Sequence, residues 1–199
     1  MPNWCSNNLT LRHEDPAKIQ EAIAAFNEGK LFDHFVPCPP ELLEEVEPGD
    51  DYAQRVEALS KRNMELHGYA SWYDWHIDNW GTKWDISNEG FEAEASDDGK
   101  SVYLAFDTAW GPPIAWYHEM VDEHGFDVQA TYFEPGMAFI GRYTTDGLDE
   151  YYEYGDIDRA ELSEHIPQDL MDEYDLLGWL GDEDEDDVFE GNDEEEESE

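Results

Sequence analysis

The chain has 199 residues, room for one domain of ordinary size with appendages. Its 52 Asp and Glu against 10 Lys and Arg give a formal net charge of -42, while 14% aromatic residues supply bulky core material. Such a polyanion repels nucleic acid, the aromatic content excludes a wholly disordered chain, and no apolar run approaches the ~20 residues of a membrane span.

In chain order, Asn3 to Arg12 alternates Leu9 and Leu11 and predicts a strand. Asp15 is placed to cap a helix with Pro16 at its first position, Ile19, Ile23 and Phe26 at helical spacing, and Gly29 as its stop. Residues 31 to 50 predict a loop stiffened by Val36-Pro37-Cys38-Pro39-Pro40. Tyr52 to Leu66 predicts a second helix with Tyr52, Val56, Leu59 and Leu66 on one side. A Trp-rich stretch, Tyr69 to Asp85, follows. A hairpin is expected from Phe91, Ala93 and Ala95, an Asp98-Gly99 turn, then Val102, Leu104 and Phe106. Pro112 and Pro113 open a helix using Ile114, Tyr117 and Val121 and stopping at Gly125. Two strands, Phe126 to Phe133 and Met137 to Tyr143, flank the turn Glu134-Pro135-Gly136.

This order predicts an α+β fold of the ferredoxin-like split β-α-β kind, a sheet with helices on one face, over residues 1–143, interrupted by a helical Trp-rich insertion at about 30–83. Residues 144–180 are an acidic, Tyr-rich extension with short helices expected at Ile157 to Leu162 and Gln168 to Leu177. Residues 181–199 read as a disordered acidic tail, in which Val188 and Phe189 are the apolar residues. With no apolar leader at the start, and with Cys5 and Cys38 too few for a disulfide scaffold, the expected location is the cytoplasm.

The tail does not account for the charge. The first 180 residues hold 39 acids against 10 bases, a net of -29. Duplex DNA of about 50 Å carries as much, and a globule of this size is roughly 40 Å across. The body therefore has the charge of a DNA segment of its own length.

Four strings run in order: Met1-Pro2-Asn3-Trp4-Cys5, the motif Asn79 to Asp85 (NWGTKWD), Phe106 to Pro113 (FDTAWGPP) and Tyr132 to Tyr143 (YFEPGMAFIGRY). Together they resemble the YubB-type ferredoxin-like family of phage- and plasmid-encoded domains of unknown function, over roughly residues 1–143. The resemblance implies a ferredoxin-like fold and a mobile-element setting, with no catalytic residues to carry over.

Candidate sites follow from residue type. Trp80, Lys83 and Trp84 combine flat aromatics with a lone cation, as a ligand platform requires; the structural alternative has Trp72, Trp75 and Trp80 anchoring the insertion, with Gly81 in a tight turn. Trp110 reads as a staple at a helix entry. Glu41, Glu44, Glu45, Glu47, Asp50 and Asp51 form the densest acidic segment before the tail, with residues 146–158 next, and Val188-Phe189 resembles a docking motif set in acids. His76 with Asp78, and His118 with His124, lack metal-site spacing, and Asp182, Asp184 and Asp186 begin a calcium-loop pattern that Asp187 and Asp193 break. No nucleophile motif, phosphate loop or dinucleotide fingerprint occurs, so neither a catalytic activity nor a metal or cofactor is expected.

The expected function is binding without catalysis: a DNA-mimicking inhibitor of a basic host DNA-binding or defence protein, its carboxylates standing in for phosphates. The alternatives are an interaction module in phage replication or packaging that recruits through the acidic tail, and a salt-adapted protein whose charge has no partner.

Overall fold

A computed structural model describes residues 3–181, and the Val188-Phe189 motif lies outside them. The chain is a mixed α+β protein that divides into two compact units, Met1–Asp156 and Ile157–Glu199. The first holds a six-stranded sheet. Its strands are β1 (Trp4–Arg12), β2 (Glu94–Ala95), β3 (Ser101–Ala109), β4 (Asp127–Glu134), β5 (Phe139–Thr144) and β6 (Asp149–Glu153). They lie in the order β2-β3-β1-β4-β5-β6, and every neighbouring pair is antiparallel.

The pleat sorts the side chains. On β1 the odd positions Cys5, Asn7, Leu9 and Leu11 are buried, and β3 and β4 add Val102, Leu104, Phe106, Val128 and Ala130 to that face. Against it pack α1 (Pro16–Asn27), α2 (Leu31–Phe35), α4 (Trp72–Trp80) and α5 (Ile114–Asp122), through Ile19, Phe26, Phe32, Phe35, Trp80 and Trp116 among others. α1 starts as its sequence dictates: the Asp15 carboxylate accepts from the Ala17 amide at 2.9 Å and Pro16 takes the first position.

Several expectations need correcting. The segment expected to be a loop from residue 31 contains α2 and a 3₁₀ turn at Pro40–Leu43. The helix expected at residue 52 forms as α3 (Tyr52–His67), yet Asn63 is its one buried residue and Leu66 is 61% exposed. Its apolar side does not enter the core. The expected hairpin arm through Phe91 shrinks to the two residues of β2, and Phe91 is exposed. On α5, Trp116 and Met120 join Tyr117 inside, while Ile114 and Val121 are only partly covered. The sheet continues beyond Tyr143, because β6 pairs along β5 from Phe139↔Glu153 to Tyr143↔Asp149.

In the second unit a 3₁₀ turn (Arg159–Glu161) is followed by three short helices, α6 (Leu162–His165), α7 (Gln168–Glu173) and α8 (Leu176–Trp179). Leu162, Ile166, Leu170, Met171 and Leu176 are buried. No helix among the described residues is long and apolar enough to cross a membrane.

Candidate functional site

The motif Asn79 to Asp85 divides into inward and outward residues. α4 ends at Trp80, and Gly81 turns the chain at φ +87 while its N–H closes the helix onto the carbonyls of His76 and Ile77. Trp80 is 2% exposed, donates Nε1–H to the Val36 carbonyl at 2.9 Å and stacks on the His76 ring at 3.8 Å. It is therefore a core residue and offers no ligand face, which removes it from the expected platform. Trp75 meets its edge, and Trp72 packs at the margin of the same core.

Thr82 donates its hydroxyl to the Ala109 carbonyl at 2.9 Å, and the His76 ring donates Nδ1–H to the Lys83 carbonyl at 2.8 Å. Burial holds the His76 pKa below its usual value. Asp85 accepts from the amides of Phe32 and Asp33, both at 2.9 Å, and of Ile86 at 2.8 Å, so its carboxylate fixes the first turn of α2 from 52 residues away. Burial pushes the Asp85 pKa up in spite of these bonds.

Lys83 and Trp84 point the other way. Trp84 lies 6.3 Å from Trp110 with ring planes 24° apart, and 6.4 Å from Trp4 at 40°. The Lys83 ammonium sits over these rings, 4.3 Å from the Trp84 centroid and 5.3 Å from that of Trp110, with Tyr73 at 5.8 Å. Trp4, Trp84, Trp110 and Tyr73 keep 41, 39, 39 and 40% of their surface in contact with solvent.

Three elements bring these residues together. The β1–β3 register sets Trp4 opposite Ala109, and the Trp110 N–H extends that ladder to the Asn3 carbonyl at 2.9 Å. Tyr73 stands in the first turn of α4. Trp110, read from sequence as a staple, instead lies on the surface at φ +66. For a residue with a Cβ that conformation costs roughly 1–2 kcal/mol, and glycine escapes the cost. A strained, half-exposed tryptophan is an expensive way to close a strand, and it singles out this patch. Nothing in their local sequence brings Trp4, Tyr73 and Trp110 forward as site residues; the FDTAWGPP string carries Trp110 without indicating which way it faces.

The acidic loop before α3 is only partly anionic. Glu44 pairs with Arg62 at 3.1 Å, Asp51 with Arg55 at 3.0 Å, and Glu41 lies 3.4 Å from His67. Among the described residues Glu45, Glu47 and Asp50 have no such ion pair. Between this loop and α3 runs a groove of about 390 Å³ lined by Val46, Tyr52, Val56, Leu59 and Trp72 together with Glu44 and Glu45. Of the apolar side of α3, Tyr52, Val56 and Leu59 line this groove, and Leu66 lies outside it.

The remaining candidates are accounted for locally. His118 bonds the Tyr143 hydroxyl, and His124 bonds the Phe35 carbonyl at 3.0 Å. Cys5 and Cys38 are buried free thiols, with burial pushing Cys38 up to about 11 and Cys5 further. Among the described residues no group of three or more His, Cys, Asp or Glu is arranged to hold a metal ion.

No protein-family model matches the chain, and no curated protein matches it. Among solved structures it is similar to the crystal structure of a protein api92 from Yersinia pseudotuberculosis, of the family DUF1281. The two share 14% identity at a TM-score of 0.39, over 78% of this chain and 99% of that one.

Proposed function

We propose that the chain is a non-enzymatic binding protein of the cytoplasm whose polyanionic body engages a basic surface of a protein partner. In its narrower form it is a DNA-mimicking inhibitor of a host DNA-binding or defence protein. The observation that carries this reading is where the carboxylates stand. Among the described residues Glu134 is the one fully buried Asp or Glu, its carboxylate closing the turn after β4, with Asp85 and Asp107 among those partly covered, so most of the anionic excess faces outward. A basic groove that meets this surface releases its counterions much as it does on DNA. Among the described residues Glu45, Glu47 and Asp50 are the loop carboxylates without an ion pair, so they, rather than the whole loop, stand in for phosphates.

The same reading takes the fold as ferredoxin-like. The order β2-β3-β1-β4 supports it, with α1 between β1 and β2 and α5 between β3 and β4. The stretch from α2 to α4 is then the insertion, β5 and β6 extend the sheet, and the YubB-type resemblance with its mobile-element setting goes with it.

The test immobilises the full chain and identifies what it retains from a bacterial lysate at about 50 and about 200 mM salt. The expected partner is a basic DNA-binding protein that duplex DNA displaces and whose affinity falls ~10³-fold or more across that range. A partner that is not basic, or whose affinity ignores salt, overturns the proposal.

A further inference from the structure

In a chain with 52 acids, a lysine is expected to sit beside a carboxylate. Arg12, Lys18, Arg55, Arg62, Lys100 and Arg142 do so. Among the described residues Lys30, Lys61 and Lys83 have no ion pair, and of these three it is Lys83 whose ammonium lies over aromatic rings, those of Trp84 and Trp110. The indole faces attract a cation through the negative face of the ring quadrupole. Lys83 thus demonstrates the chemistry of the surface beneath it, a seat for a cation.

We infer that the Trp84–Trp110 face is an exchangeable cation seat, held by Lys83 in the free protein and taken by an arginine side chain of the partner in the complex. This rests on the reading that the partner is basic. Charge complementarity selects the occupant, since a net charge of -42 draws in a basic surface and repels an acidic one. Arginine is preferred over lysine because guanidinium is planar, stacks on an indole and sheds water more readily than ammonium. The four-carbon stem of Lys83 lets it leave without moving the backbone, and Trp4 and Tyr73, both about two-fifths exposed, extend the apolar surround. Aromatic anchors ringed by near-neutral contacts are where interfaces concentrate their binding energy.

The experiment uses the full chain and two probes of equal charge, an arginine nonapeptide and a lysine nonapeptide, at about 150 mM salt. Affinity is read by calorimetry, and the indole N–H signals of Trp84 and Trp110 are followed by NMR. The arginine peptide is expected to bind about 3- to 10-fold more tightly and to shift both indoles. Lys83→Gln, which removes the resident cation, should raise that arginine-to-lysine ratio about 2- to 5-fold. Trp110→Gly should abolish the ratio without lowering the melting temperature, because glycine suits φ +66. Trp84→Leu keeps the bulk but removes the indole, and should also abolish the ratio; it decides the matter if Trp110→Gly fails to fold.

A ratio lowered by Lys83→Gln means that Lys83 itself meets an acid of the partner, which overturns the exchange. Equal binding of both peptides with unshifted indoles overturns the seat and leaves the basic-partner reading intact. If neither peptide binds even at about 50 mM salt, the basic-partner reading falls as well.

Discussion

Gly81→Ala tests whether the motif Asn79 to Asp85 is the structural tie that the geometry describes. At φ +87 an alanine pays roughly 1–2 kcal/mol for the left-handed backbone alone. Its Cβ would also lie 3.0 Å from the Ile114 nitrogen, 3.2 Å from the Pro112 oxygen and 3.3 Å from the Ala115 nitrogen. These are backbone atoms at the start of α5 and cannot swing aside as a side-chain end can, so a further ~1–3 kcal/mol of overpacking is expected. The control is Gly68→Ala, at φ +78 with nothing within 4 Å, where only the backbone cost applies. Urea unfolding of both variants should show losses of about 2–5 kcal/mol at position 81 and about 1–2 kcal/mol at position 68. Equal losses, or a larger one at position 68, would refute the close approach of this turn to α5.

The inward and outward halves of the motif should separate in the same assay. Trp80→Leu opens space in the core and strips the Val36 carbonyl of its donor, at a cost of about 2–4 kcal/mol, whereas Trp84→Leu should cost about 1 kcal/mol or less; similar losses would contradict the division. Asp85 is held above its usual 3.8 by burial, with Asp33 adding to the shift, so the folded protein binds that proton more tightly than the unfolded chain does. The stability contributed by this group therefore grows as pH falls through the raised value toward 3.8, and the stability of wild type relative to Asp85→Asn should rise as pH drops; a fall would reverse the sign argued here. Neutralising Glu45, Glu47 and Asp50 together as Gln, Gln and Asn should weaken a basic partner more than neutralising the scattered, exposed Glu28, Asp97 and Glu123, as measured by salt-dependent affinity. Equal losses would mean that total charge matters and its placement does not.

The elements legible in the sequence are those whose stability is local. β1 and β3 alternate apolar residues through Leu9 and Leu11 and through Val102, Leu104 and Phe106, β4 and β5 flank the turn Glu134-Pro135-Gly136, and α1 carries its own cap and proline, so each announces itself within a dozen residues. The elements that escaped depend on distant partners. α2 is five residues long and has no cap of its own; the Asp85 carboxylate, 52 residues on, holds its first turn. β6 reads Asp-Glu-Tyr-Tyr-Glu, a poor strand by composition, and exists because β5 offers an unpaired edge.

α3 was recognisable as a helix from its periodicity, but periodicity reports only that an apolar side exists. What that side faces, here a groove beside the acidic loop, is a tertiary fact.

The candidate site shows the same division more sharply. Composition and spacing brought Lys83 and Trp84 forward and set Trp80 beside them, since three residues in one short string cannot be sorted into inside and outside without the turn at Gly81. Trp4 and Trp110 are separated by more than a hundred residues, and only the β1–β3 ladder brings them to the same end of the sheet. The excess of negative charge is different in kind. It needs no fold to be read, because it is a sum over residues, and it bears on which partners the surface attracts. Where that charge is already cancelled, by Arg55 and Arg62 on α3, depends on side chains meeting across the loop, and only the tertiary structure decides which of them meet.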